Sequence, residues 1–147
     1  MDDYSGAYGD VGQVDPVKFF IGSASRWTGV PQPSEDFFVQ RISAQNDGET
    51  PHELTVDEDI PADRFWSVSV YNSEGYFAEN EYDAYTVNDV TAERNGDASI
   101  TIHFGGDPDQ SNFLYTPEEW IYIVRLYQPR EEILDGNYQF PEAEQAE

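Results

Sequence analysis

The sequence predicts a mainly all-β domain, an antiparallel sandwich or barrel preceded by a short helix. Three observations carry this. At least five segments alternate apolar and polar residues with the period of two that a half-buried strand requires. Clusters of Asn, Asp, Gly and Ser separate them, the composition of tight turns. Aromatic residues make up 15% of the chain against a hydrophobic total of 38%, so the core leans on Phe, Tyr and Trp, as pleated sheets favour.

Taken in order, residues 1–13 are rich in Gly, Asp and Tyr without any period and read as a flexible arm. Residues 14–143 form the single domain. "VDPVKFFIGSASRWTGV" (14–30) opens it with the expected helix. Asp15 is its N-cap and Pro16 its first helical residue, Val17, Phe20, Ile21 and Ala24 share a face, and Gly29 ends it. "DFFVQRIS" (36–43) is the first strand, and the Asn-Asp-Gly in "AQNDGE" is read as a hairpin-type turn after it. "HELTVD" (52–57) puts Leu54 and Val56 on one face. "RFWSVSVYN" (64–72) sets Trp66, Val68 and Val70 against Ser67, Ser69 and Tyr71, and "SEG" turns the chain. "AYTVNDVTA" (84–92) is a less regular strand, and "RNGD" (94–97) is the strongest turn signal. "ASITIHF" (98–104) faces Ile100, Ile102 and Phe104 to the core, with Thr101 and His103 opposite. "WIYIVRLY" (120–127) buries Trp120, Tyr122, Val124 and Leu126, leaving Ile121, Ile123, Arg125 and Tyr127 on the other side. "QPREEILDG" reads as a turn-prone stretch in which Arg130 pairs with the adjacent Glu131 and Glu132, and residues 144–147 as an acidic tail.

The charge balance excludes several functions. Thirty Asp and Glu face seven Lys and Arg, for a net charge of -23. Such a surface repels phosphate backbones and anionic bilayers, so neither nucleic acid nor a membrane is an expected partner. It suits a saline or marine setting. No cysteine is present, which removes disulfides and thiolate metal sites. The opening residues have no basic and apolar leader pattern, so a cytoplasmic location is expected. "DEDIPAD" (57–63) and "GGDPDQSN" (105–112) carry hard oxygen donors, but neither follows the D-x-D-x-D-G order of a calcium loop. The expectation is no cofactor, with calcium as the alternative.

The motifs resemble the DUF1214 family. The carriers are "DIPADRFWSVSVYNSEGYFAENEYDAYTVNDVTA", "GDASITIHFGG" and "EWIYIVRLYQPREEILDGNYQFPEA", with "NDGETPHELTVD" and the 14–30 stretch upstream. The resemblance implies a jelly-roll β-sandwich and no established activity. It also implies a DUF1254 domain as habitual companion, so a DUF1254-like protein acting in trans is an expected partner. Many relatives read GGC and NCLP where this chain has Asp107 and Phe113. That departure fits a cytosolic protein, or a phage-encoded one made in its host. Relatives tend to carry Asn at the position of Ile121.

The residues themselves suggest one polar face. If the segments around Ser67, His103 and Arg125 pair side by side, then Ser67, Ser69, Tyr71, Thr101, His103, Arg125 and Tyr127 line a common surface. A guanidinium with hydroxyls and aromatic edges suits a small polar ligand, a carboxylate or a sugar. The run "YNSEGYFAENEYDAY" adds Asn72, Tyr76, Asn80 and Tyr85 as further ligand candidates. The bland alternative is a solvated face in which Arg125 is held by an internal carboxylate. Chemistry is also conceivable: His103 or Tyr127 as acid or base, Arg125 holding an anionic substrate in a hydrolase or lyase. His52 and His103 lack metal-ligand spacing, and no G-x-S-x-G elbow is present. A third class is a structural or interaction module, with oligomers.

Overall fold

A computed structural model describes residues 37–42 and 46–146; the expected N-terminal arm and the helix at 14–30 lie outside the described residues. The chain runs β1 (Phe37–Ile42), β2 (His52–Val56), β3 (Ala62–Tyr71), β4 (Thr86–Asn88), β5 (Ile100–Phe104), β6 (Phe113–Leu114), β7 (Ile121–Pro129), a single helical turn α1 (Glu131–Leu134) and β8 (Glu144–Gln145). Two four-stranded sheets result, ordered β1-β7-β3-β4 and β6-β5-β2-β8. All pairs are antiparallel except β5 with β6. This is the all-β sandwich that the alternation predicts.

The alternating residues meet where expected. Trp66, Val68 and Val70 of β3, Val87 of β4 and Tyr122, Val124 and Leu126 of β7 form one wall of the core. Leu54, Val56, Ile100, Ile102, Phe104 and Leu114 form the other. Trp120, fully buried, stacks on Phe104 at 5.2 Å between ring centroids, and Tyr122 leans against both. Each fully buried aliphatic side chain here contributes about 1.5–3 kcal/mol.

Several local readings change. Asn-Asp-Gly at 46–48 does not close a hairpin, because β1 belongs to one sheet and β2 to the other. The chain bends between sheets here, and Asp47 accepts hydrogen bonds from the backbone of Glu49 and Thr50. Gly48 has φ +75°, and a Cβ there would meet backbone atoms of Pro117 and Glu118 at 2.9 Å, so the close approach requires glycine. The strand expected over 84–92 keeps only Thr86–Asn88. Asn88 ends it by turning its side-chain oxygen onto the backbone N–H groups of Val90 and Thr91. "QPREEILDG" contains the turn α1, closed by Gly136 at φ +73°.

Arg130 pairs across the fold, not with its neighbours. Its Nε donates to Asp63 at 2.7 Å and its Nη1 to both oxygens of Asp59, at 2.9 and 3.1 Å. Those bonds, Asp63 first, raise its pKa. With Arg130 N–H bonded to Pro61 O, the end of β7 is tied to the β2–β3 connection.

The C-terminal segment is held differently. Tyr122 is fully buried, and its hydroxyl accepts the N–H of Ala143 at 2.9 Å. Burial pushes its pKa up to about 12. Because the folded value lies above the ordinary one near 10, this group's stabilisation is complete below about pH 10 and drains away as pH rises toward 12. Chemical denaturation across that window should show about 2–3 kcal/mol of stability lost. Tyr122→Phe should start lower but lose much less over the same range; an unchanged alkaline slope would remove Tyr122 as the cause.

Candidate functional site

The register of β3 on β7 builds the site. Ser67 lies opposite Arg125, Phe65 opposite Tyr127, and Tyr71 opposite Ile121. All are on the outer face of the β1-β7-β3-β4 sheet, since their neighbours in sequence fill the core. Ser67 and Ser69 are small enough for longer side chains to reach along the face above them. Arg125 does so: its Nη2 donates to Tyr71 Oη at 2.9 Å, and its Cζ stands 5.5 Å from the Tyr71 ring centroid. Among the described residues the ion pairs are those of Arg130, and no carboxylate pairs with Arg125.

Aromatic rings extend the face. The β3–β4 loop turns at Asn72, whose side-chain oxygen accepts from Glu74 and Tyr76 N–H groups. That turn folds Phe77 back onto Tyr71, stacked at 4.8 Å with 11° between planes. Phe77 also touches Tyr85 at 5.3 Å and remains 50% exposed, while Tyr76 is 67% exposed. On β7, Tyr127 packs against Phe65 at 5.6 Å.

Not every residue read from the sequence joins this face. Thr101 and His103 sit on β5, in the opposite sheet. His103 takes its Nδ1 to Ser111 O at 2.8 Å. The grouping of His103 with Arg125 therefore does not form, and with it goes His103 as acid or base for a substrate held by Arg125; Tyr127, the alternative, stays on the face. His52 and His103 lie on opposite faces of their sheet: His52 is buried against Trp120, and His103 faces outward. Asn72 and Asn80 are present in the loop but commit their side-chain oxygens to its backbone. Ser69 donates to Thr86 Oγ1, which donates to Val68 O. Phe77 and Phe65, absent from the expected set, complete the face. Phe65 shares the parity of Ser67 and Tyr71, whereas Phe77 lies in a loop without a period.

Among the described residues no three His, Asp or Glu side chains converge as metal ligands. Asp59 and Asp63 of "DEDIPAD" bond Arg130, and Asp107 caps the N–H of Asp109. A cavity of about 450 Å³ opens between Asn46, Asp47, Thr50, Glu118, Glu119 and Gln145. Its polar atoms hold the wall itself: Asp47 accepts from Thr50 Oγ1, and Asn46 bonds Trp120 O and Glu119 N–H. It contains none of the residues singled out from the sequence.

An antiparallel sandwich with a guanidinium set among aromatic rings defines a class of fold. Its lineage follows from comparison with known proteins. A family model described as "Protein of unknown function (DUF1214)" matches residues 38–131, and the chain belongs to that family. No curated protein matches it. Its fold is similar to the crystal structure of the VPA0106 protein from Vibrio parahaemolyticus, with a TM-score of 0.74 and 22% identity. All of this chain is covered there, but only 40% of that one. An uncharacterized protein from Burkholderia cenocepacia is similar over 74% of this chain and 28% of its own, with a TM-score of 0.55 and 18% identity. This chain thus spans less than half the length of either. No helix among the described residues is long and apolar enough to cross a membrane.

At the positions where the family resemblance marks cysteines, Phe113 packs edge-on against Tyr82 at 5.5 Å. The loop carrying the aromatics depends on Asn80, which accepts from Tyr82 and Ala84 N–H and donates to Ala78 O. Asn80→Ala should speed amide hydrogen exchange at Tyr82 and Ala84 while β7 amides stay protected. Equal protection in both proteins would mean that the loop is held by its aromatic contacts alone.

Proposed function

We propose that this domain is a binding module that holds a small polar ligand, a sugar or an organic acid, at the accessible edge of the outer face of β3 and β7, beside Arg125, Tyr71 and Phe77. What carries the reading is the Arg125–Tyr71 hydrogen bond beside the stacked, half-exposed ring of Phe77. An aromatic surface takes the flat apolar side of a ring, while fixed donors orient its polar edge. The separation of His103 from this face supports binding over turnover. A panel of sugars and organic acids in thermal-shift assays at fixed ionic strength tests it. Binding to the folded state adds about 2.7 kcal/mol at a hundred times Kd, so weak ligands register. A saturable shift is expected, abolished in Phe77→Ala although that variant stays folded. A panel without any shift would sink the reading.

A second reading has its own support. Tyr76, Phe77 and Tyr82 expose 67, 50 and 47% of their surface on one loop. A protein in trans, of the DUF1254 type, is the partner this favours. Light scattering after gel filtration of the two purified proteins should give a joint species. Separate elution, with this domain monomeric, would dismiss both the partner and self-assembly.

A further inference from the structure

We infer that the ligand of this face is a singly charged carboxylate on a sugar-like frame, of the uronic-acid class, received by the Arg125 guanidinium and the Tyr71 hydroxyl. The inference rests on the binding reading above and narrows it by hydrogen-bond polarity.

A neutral sugar offers hydroxyls that both donate and accept, so its site must supply acceptors as well as donors. The amide and threonine oxygens flanking this face are engaged. The Asn72 and Asn80 oxygens each hold two backbone N–H groups, and Thr86 Oγ1 already accepts from Ser69. At Arg125 itself the groups on offer are all donors. Arg125 carries five N–H bonds and no acceptor, and among the described residues its side chain bonds Tyr71 through Nη2 alone. Because Tyr71 Oη accepts that bond, its own proton is directed elsewhere. Donors set side by side suit an acceptor-only group, and a planar carboxylate matches the planar guanidinium.

The charge environment agrees. Arg130 is neutralised by two aspartates, and Arg94 is turned onto the carbonyls of Glu58 and Ala98. Arg125, by contrast, is bordered on its own strand and on β3 by Ser67, Ser69, Ile123 and Tyr127, all uncharged, while β1 places Val39 opposite it and Arg41 opposite Ile123. In a chain of net charge -23, each additional negative charge on a ligand meets more long-range repulsion. One charge placed locally against Arg125 is favoured over the two of a phosphate monoester. The ring of the frame then has the half-exposed Phe77 beside it.

The test compares galacturonate and glucuronate with their methyl esters and with galactose and glucose, by calorimetry on the whole chain at low and high salt. Losing a charge-assisted contact should weaken the esters and neutral sugars by about tenfold or more. Added salt should weaken the uronates and leave the neutral sugars unaffected. Tyr71→Phe, which keeps the ring stack, should weaken the uronates several-fold. Arg125→Lys keeps the charge but loses the planar fork, and should weaken them further. Neutral sugars binding as tightly as uronates would overturn this inference and leave the binding module standing. Tighter binding of glucose 6-phosphate than of glucuronate would replace the carboxylate by a phosphate. Silence from every sugar and uronate would overturn it together with the sugar side of the binding reading.

Discussion

The register between β3 and β7 is the constraint on which the rest of the molecule depends. Because side chains alternate at every residue, pairing Val68 with Val124 and Trp66 with Leu126 buries one row in the core. The same register sets Ser67 against Arg125 on the far side. A slip by one residue would turn Arg125 inward among fully buried Val, Leu and Trp side chains. An unpaired charge there costs several kcal/mol. The core and the polar face are therefore one decision, made by the same set of backbone hydrogen bonds.

β7 is central in a second sense. Its outward Ile121 and Ile123 are only 8 and 7% exposed, and the outward Ser67 and Ser69 of β3 are 7 and 4% exposed. A face covered this far makes the partner of Arg125 consequential, since screening by water is reduced there. Tyr71 meets that need with a neutral oxygen and a ring. The contrast with Arg130 is instructive: that residue is locked by carboxylates, so it fastens chain segments.

How far the residues announced this differs by element. The long strands were legible because period-two patterning and core burial are the same fact seen twice. β6 and β8, two residues each, are too short to carry a period. The Asn-Asp-Gly bend was legible as a turn but not as a hairpin, because turn chemistry fixes the local path and not which strands later pair. Arg130 was assigned to its adjacent glutamates by proximity in sequence, whereas its aspartates lie 67 and 71 residues away. Tyr71, Arg125 and Tyr127 could be grouped by parity. His103 shared that parity and was grouped with them wrongly, since alternation tells inside from outside but not one sheet from the other.

By itself, then, the sequence determined the long strands, their core-facing rows, the family and a net charge of -23. These are local or summed properties, readable from a residue and its neighbours. Tertiary structure alone decided that Tyr71 meets Arg125, that Phe77 folds back over Tyr71, and that His103 stands in the opposite sheet. Each of these joins residues through strand pairing or loop closure. Such contacts form only when the burial of the whole core offsets the entropy of bringing distant segments together.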